Sequence, residues 1–387
     1  MVLLALVLGL VLWQRPWVDD EPAAPTRSDA PVDAPAALTR QIAALSRADS
    51  VEEFAAAAGD EAWAQRTWAG REALDVGDVS WRYVSGADAP PLDDGDRRVT
   101  AEVSWAAGSA RVDLRLASRG DGFAIVDSSG SGDDRLPVWL AGAIDVEPGD
   151  GRTVVRVDGG DSTFDVEAAT RVARATVEAT IDDLDRSLVV VSTPDTATTA
   201  ELLGQPVDAL RQIAAVSTSF DPRDGSLAGP AVVLNPAVFA TMDQRARQVV
   251  MSHEATHVLS GSVGTRAETW VVEGFADYVA LRQDTAPLDV SAGQILRQVA
   301  EQGAPERLPT TQDFDGATDG LGAVYESAWM IFRLLGERYG APAVVAFYDA
   351  VLAGTPVDRA LSDTFGITVA QLTDAWRRSL TTAASDL

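Results

Sequence analysis

Cysteine is absent from the 387-residue chain, lysine is absent as well, and histidine occurs only twice. Without cysteine there is no disulfide framework, no thiolate metal ligand and no thiol nucleophile. The same absence leaves the redox compartment open. Arginine alone supplies the 31 basic residues, against 58 Asp and Glu, for a net charge of −27. A surface of that sign repels phosphate backbones, so nucleic acid is not an expected partner. No apolar run approaches the ~20 residues of a spanning helix, which excludes a multi-span membrane protein. With 46% hydrophobic and 23% charged residues, the composition is that of a globular chain long enough for about two domains.

The first residues suggest export. Val2 to Trp13 is an unbroken apolar run of 12 residues, the length of a signal-peptide h-region, although no basic residue precedes it. Residues 18–36 (VDDEPAAPTRSDAPVDAPA) have the Pro/Ala/Asp composition of a disordered stalk. These features predict a signal or membrane anchor over 1–17, a stalk over 18–36 and an extracytoplasmic folded part. The apolar segment is then the point of membrane association.

Two folded parts are expected, both α+β. Leu38, Ile42, Leu45, Val51, Phe54 and Ala57 recur at helical spacing between about Ala37 and Trp68. The period then changes to two, with Val99, Ala101, Val103 and Trp105 alternating with polar neighbours. Strand-like pieces fall at 79–85, 97–106, 109–117 and 121–127. A helical start followed by an antiparallel meander over 37–144 resembles the NTF2-like, cone-shaped domain, and implies a spacer rather than a ligand-binding unit. The second part, 145–387, begins with strands at Thr153–Val157, Leu188–Ser192 and Ala231–Leu234 and a helix over 164–185. From about 242 onward the pattern is helical, in segments at 242–260, 266–283, 291–302, 323–339, 342–353, 356–363 and 369–381.

Both histidines fall in one pattern, His253-Glu254-Ala255-Thr256-His257, which is H-E-x-x-H on a predicted helix. Positions i and i+4 share a helical face, so two imidazoles can converge on one metal ion. Glu254 lies about 100° round the helix from His253, placed to act on water rather than as a ligand. Neutral imidazoles suit Zn²⁺, and a carboxylate beside them can take a proton from the water that zinc activates. A catalytic site needs a third protein ligand and one open position. No histidine is left, so an acidic residue must supply it. The segment Trp270-Val271-Val272-Glu273-Gly274-Phe275-Ala276-Asp277-Tyr278 follows on the next predicted helix. Glu273 is the candidate ligand. Asp277, one turn further on the same face, can hydrogen-bond the outer nitrogen of a ligand histidine and fix its tautomer.

H-E-x-x-H followed by W-x-x-E-G-F-A-x-Y resembles the gluzincin metallopeptidases. The closest likeness is to the peptidase MA-like group related to the W-x-x-E-G-F-A aminopeptidases, and it covers roughly residues 150–382. The resemblance implies a thermolysin-like zincin domain, with a small mixed sheet and a mainly helical C-terminal part. It implies His253, His257 and Glu273 as zinc ligands, Glu254 as general base and Asp277 as support of a ligand histidine. It also implies an oxyanion-binding tyrosine on a later helix. Val324-Tyr325-Glu326-Ser327 resembles the Y-E-K-G segment of those aminopeptidases, although its Lys-Gly is replaced by Ser-Ala, so Tyr325 is the candidate. A buried structural tyrosine is the rival reading. The G-x-M-E-N segment with which the aminopeptidases recognise a free amine has no counterpart here, which favours an endopeptidase or a very narrow substrate. The Gly-Pro before Ala231–Leu234 suggests that this run is an edge strand able to take an extended peptide by strand addition.

The expectation is thus a zinc-dependent hydrolase of peptide or protein substrates outside the cytoplasm. Two alternatives stand beside it: a catalytically silent, zinc-containing surface protein that binds or scaffolds a partner, and a metal-dependent hydrolase of a non-peptide amide or ester.

Overall fold

The computed structural model describes residues 34–386 apart from 88, 90, 93, 107, 120–121, 133, 161–162, 221–226, 228 and 315–319. The apolar run 2–13 lies outside the described residues, as does the stalk up to residue 33. No described helix is long and apolar enough to cross a membrane.

The helical stretch expected at the start is three helices: α1 (Ala34–Leu45), α2 (Val51–Ala58) and α3 (Glu61–Ala73). Local chemistry makes the breaks. Ser50 caps α2 by accepting from the Glu53 N–H, Gly59 ends it at φ 75°, and Asp60 caps α3 by accepting from the Trp63 N–H. The meander follows as β1 (Ser80–Ser85), β2 (Arg97–Trp105), β3 (Gly108–Arg119) and β4 (Gly122–Gly130), antiparallel and in sequence order. Its register sets Val99 opposite Leu114 and Ala101 opposite Val112, all buried against the helices. Indoles fill this core. Trp63 meets Trp81 edge-on at 6.0 Å, and Trp139 meets both Trp81 (6.1 Å) and Trp105 (6.4 Å).

The connector 131–143 belongs to both halves. Trp139 is buried in the core under the meander, while its neighbour Val138 is buried in the core on one face of the second sheet. The second sheet contains β5 (Ile144–Gly149), β6 (Arg152–Val157), β7 (Leu188–Ser192), β8 (Ala215–Phe220) and β9 (Gly229–Leu234), in the order 5-6-7-9-8. Strands β6, β7 and β9 are parallel; β5 and β8 are antiparallel at the two edges. Helix α4 (Val166–Glu178) bridges β6 and β7, and α5 (Thr196–Leu203) follows β7.

One expectation is corrected here. Ala231–Leu234 is not an edge. It is the C-terminal part of β9, paired on both sides, and its four residues are buried. A continuous apolar run is what a strand covered on both faces requires. The edge beside it is β8, whose Ser217, Thr218 and Ser219 hid it from a hydrophobic reading.

The rest is helical: α6 (Pro236–Phe239), α7 (Gln244–Ser260), α8 (Thr269–Leu281), α9 (Leu288–Ser291), α10 (Gly293–Gln302), α11 (Leu321–Tyr339), α12 (Ala341–Leu352), α13 (Val357–Phe365) and α14 (Val369–Ser385). The architecture is α+β, with a mixed sheet leading into a helical C-terminal part. Helix α7 is its centre, buried continuously from Val249 to Leu259. It packs against the sheet, α4 and α8, and α8 in turn packs on α11. The last contact is unusually close at Gly274, where an added Cβ would stand 2.7 Å from the Ala328 carbonyl oxygen. Gly274→Ala is expected to destabilise the protein by about 1–3 kcal/mol through overpacking. Urea unfolding, read as a lowered midpoint at unchanged slope, checks this.

Candidate metal centre

Helix α7 is fixed at both ends. Asp243 accepts from the Ala246 N–H at 2.8 Å, and Gly261 ends the helix at φ 76°. That left-handed turn lets the Ser262 N–H return to the His257 carbonyl (3.1 Å) and brings Ser262 Oγ within 3.0 Å of His257 Nδ1. The chain then reverses into α8, which runs back along α7 and presents Glu273 to the histidines. His253, Glu254, His257 and Glu273 are all buried.

The three expected ligands converge. His253 Nε2 stands 3.0 Å from His257 Nε2 and 3.2 Å from Glu273 Oε2, and His257 Nε2 is 3.6 Å from the same oxygen. A tetrahedral zinc site with bonds of ~2.0–2.1 Å has ligand–ligand edges of about 3.3 Å. The observed triangle brackets that value. Two imidazoles and one carboxylate are the kind of three-ligand donor set found in catalytic rather than structural zinc sites.

The outer hydrogen bonds settle which nitrogens face inward. A carboxylate only accepts, so His253 Nδ1–H donates to Asp277 Oδ1 at 2.7 Å. Ser262 Oγ, 3.0 Å from His257 Nδ1, can accept from the Nδ1–H tautomer that zinc binding through Nε2 requires. Both Nε2 atoms then aim lone pairs at each other and at Glu273, an arrangement that needs a cation at its centre. Burial opposes charge on His253, but the Asp277 and Glu273 carboxylates outweigh it and hold the imidazole well above its ordinary pKa. Burial likewise pushes Glu273 up, yet the two histidines bring it down to about 2. Glu273 Oε1 is buried with no hydrogen-bond partner among the described residues. The donor set therefore fits one Zn²⁺ ion.

Glu254 sits beside this set with its two oxygens differently placed. Oε2 accepts from the Ser217 N–H of β8 at 2.8 Å, whereas Oε1 is buried without a partner among the described residues. Burial raises its pKa, against the lowering effect of the two histidines. Tyr325, in the second turn of α11, is buried with its ring edge-on to Phe314 at 5.0 Å. Burial, then the charges of Glu273, Asp277 and Glu254, push its phenol well above the usual value. His253, His257, Glu273 and Asp277 thus meet in one place with Glu254 buried beside them, and Tyr325 is a buried tyrosine packed on Phe314.

Three contributors were not anticipated. Ser262 had a weak signal, a serine directly after a helix-ending glycine. Ser217 acts through its backbone N–H, which carries no side-chain signature. Glu326 is a half-buried carboxyl, raised by desolvation to about 7, that accepts from the Gln294 and Ile295 N–H groups at 2.8 Å each. It ties the second turn of α11, which also holds Tyr325, to the start of α10.

No family model and no curated protein matches the chain. Solved structures resemble it in broad outline. A mutant two-domain M1 zinc metallopeptidase bound to L-tryptophan shares 12% identity at a TM-score of 0.37, over 78% of this chain and 61% of its own. The M1 zinc metallopeptidase from Deinococcus radiodurans shares 16% at 0.40, over 79% and 70%. A mutant M1 zinc metallopeptidase from the same organism, bound to a Tyr-Ser-Ala substrate, shares 13% at 0.38, over 78% and 61%. The chain thus spans about three fifths of the length of the first of these. The zinc assignment rests on the ligand geometry.

Elemental analysis of the purified full-length chain should find one zinc per molecule, lost in His257→Ala. Asp277→Asn should keep the site but weaken zinc binding by about 10–100-fold, as removal of a support behind a ligand histidine does. Competition with a chromogenic chelator measures it.

Proposed function

We propose that this protein is a zinc-dependent peptide-bond hydrolase, an endopeptidase of the peptidase MA-like kind, working outside the cytoplasm. The observation that carries the reading is Glu254. A buried carboxylate with one oxygen unpartnered is costly, and a zinc site that only held the fold together would have no use for it. Set directly after a ligand histidine, it is the group needed to move a proton.

When bound, zinc supplies Lewis-acid polarisation of the scissile carbonyl and lowers the pKa of the attacking water. The chain does the rest. Glu254, steadied through Oε2 by Ser217, receives a proton from that water on Oε1. It then delivers the proton to the amide nitrogen as the C–N bond breaks, leaving a carboxylate and an amine. Tyr325 donates its hydroxyl proton in a hydrogen bond to the developing oxyanion, and its raised pKa keeps it protonated for that task. Asp277 and Ser262 hold the two imidazoles in the tautomer that aims Nε2 inward. The edge strand β8, which contacts the general base, is the surface on which an extended peptide can be laid by strand addition.

The lack of a G-x-M-E-N segment supports cleavage inside a chain rather than recognition of a free amine. Residues 37–144 serve as an NTF2-like spacer in this reading, supported by a core filled with indoles, and 145–387 form the catalytic unit. The extracytoplasmic placement is supported by the apolar run and the Pro/Ala/Asp stalk that follows it.

Glu254→Gln should retain one zinc per chain and lose peptide hydrolysis by about 10²–10⁴-fold. Full activity in that variant would end the mechanism, and a native protein with zinc but no turnover on a peptide library would favour the silent binding protein. Tyr325→Phe should lower kcat by about 10²–10³-fold with little change in KM. Steady-state kinetics on a cleaved peptide separates this role from a structural one.

A further inference from the structure

The β8 edge has a defined polarity. The Ala214 carbonyl accepts from the Asn235 N–H at 2.9 Å, so the even-numbered residues of this segment face β9. In an antiparallel pair the N–H and C=O of one residue point the same way. Ala215, Ser217 and Ser219 therefore point theirs to the open edge. Two of these groups are already engaged. The Ser217 N–H is held by Glu254, and the Ser219 carbonyl accepts from the Arg135 guanidinium at 3.2 Å.

Arg135 comes from outside the second sheet. It lies on the connector after β4, and that connector is anchored. The Gly130 N–H donates to Glu201 Oε2 at 2.7 Å, and the Leu136 N–H donates to the Glu201 carbonyl at 3.0 Å. The next residues, Leu136 and Val138, are buried. A fixed backbone thus delivers the guanidinium to the edge strand, two residues from the one that contacts the general base. At ~3.3–3.4 Å per residue, that separation is about 7 Å.

We propose that Arg135 is a specificity-determining residue that closes the β8 edge at Ser219. An extended peptide paired to this edge beside Glu254 runs on for about two residues in that direction and then meets the guanidinium on the next carbonyl it needs. The favoured substrates are accordingly interior bonds of short peptides, with few residues on the Ser219 side. The proposal rests on the peptidase reading for its substrate class, but it concerns binding and can be tested without turnover.

The test uses full-length, zinc-loaded Glu254→Gln, in which the amide oxygen still accepts from Ser217. Alanine-rich extended peptides of about 4 to about 12 residues are titrated by calorimetry. Affinity should fall as the peptides lengthen. Adding Arg135→Ala, or Arg135→Met to keep the side-chain stem, should raise affinity for the long peptides about tenfold and leave the short ones within about twofold. An identical length profile with and without Arg135 overturns the proposal. So does a loss of affinity at all lengths together, the signature of general loosening, and so does absence of binding at every length. Hydrolysis of the short peptides by the native protein is measured alongside. Length selection that depends on Arg135, without any native turnover, would leave the groove assignment standing and sink the peptidase reading.

Discussion

The convergence of three buried donors on one point is the constraint around which the C-terminal half is organised. Two imidazole nitrogens and a carboxylate oxygen within 3.6 Å of one another repel unless a cation sits among them. Burial makes that need acute, since charge in a low-dielectric interior is stable only when compensated. Each nearby hydrogen bond serves it. Asp277 and Ser262 take the outer nitrogens so that the inner ones stay available, and Ser217 holds one oxygen of Glu254 so that the other stays free.

Holding α7 and α8 in register calls for a stiff surround. Phe275, two residues after the ligand glutamate, stacks on Tyr348 of α12 at 3.7 Å between ring centroids. The Tyr348 hydroxyl in turn lies 2.9 Å from Ser260 Oγ, at the end of the histidine helix. Aromatic packing on α8 and a hydrogen bond on α7 thus meet in one side chain. On the other flank Gly274 lets α11, the helix that carries Tyr325, come close to α8. The E-G-F-A run therefore combines a ligand, a close-contact glycine and a stacking ring in consecutive positions.

Much of the site was legible because its chemistry depends on spacing along helices. A spacing of four positions between the histidines, and again between Glu273 and Asp277, fixes shared faces before any tertiary contact is known. The long amphipathic helices were legible for the same reason. The misread parts are those where the backbone supplies the chemistry or tertiary context sets the role. Ala231–Leu234 was recognised as a strand but put at the edge, because one apolar run cannot say which neighbour lies outside it. The true edge, β8, carries Ser and Thr where hydrophobic alternation was sought. The breaks at Ser50 and Gly59–Asp60 were visible as capping residues but were outweighed by a periodic apolar pattern spanning them. Glu326 resembles any helix-surface acid until α10 is seen to lay its first N–H groups on it.

The connector between the sheets has a thermodynamic consequence. Val138 and Trp139 are consecutive, yet one is sealed into each core. Neither core can open at this point without straining a side chain that belongs to the other, and the short turn between them leaves no slack to absorb relative rotation. The two halves are thus joined by a rivet rather than a hinge. Coupled melting of the two halves is the consequence expected of that shared segment.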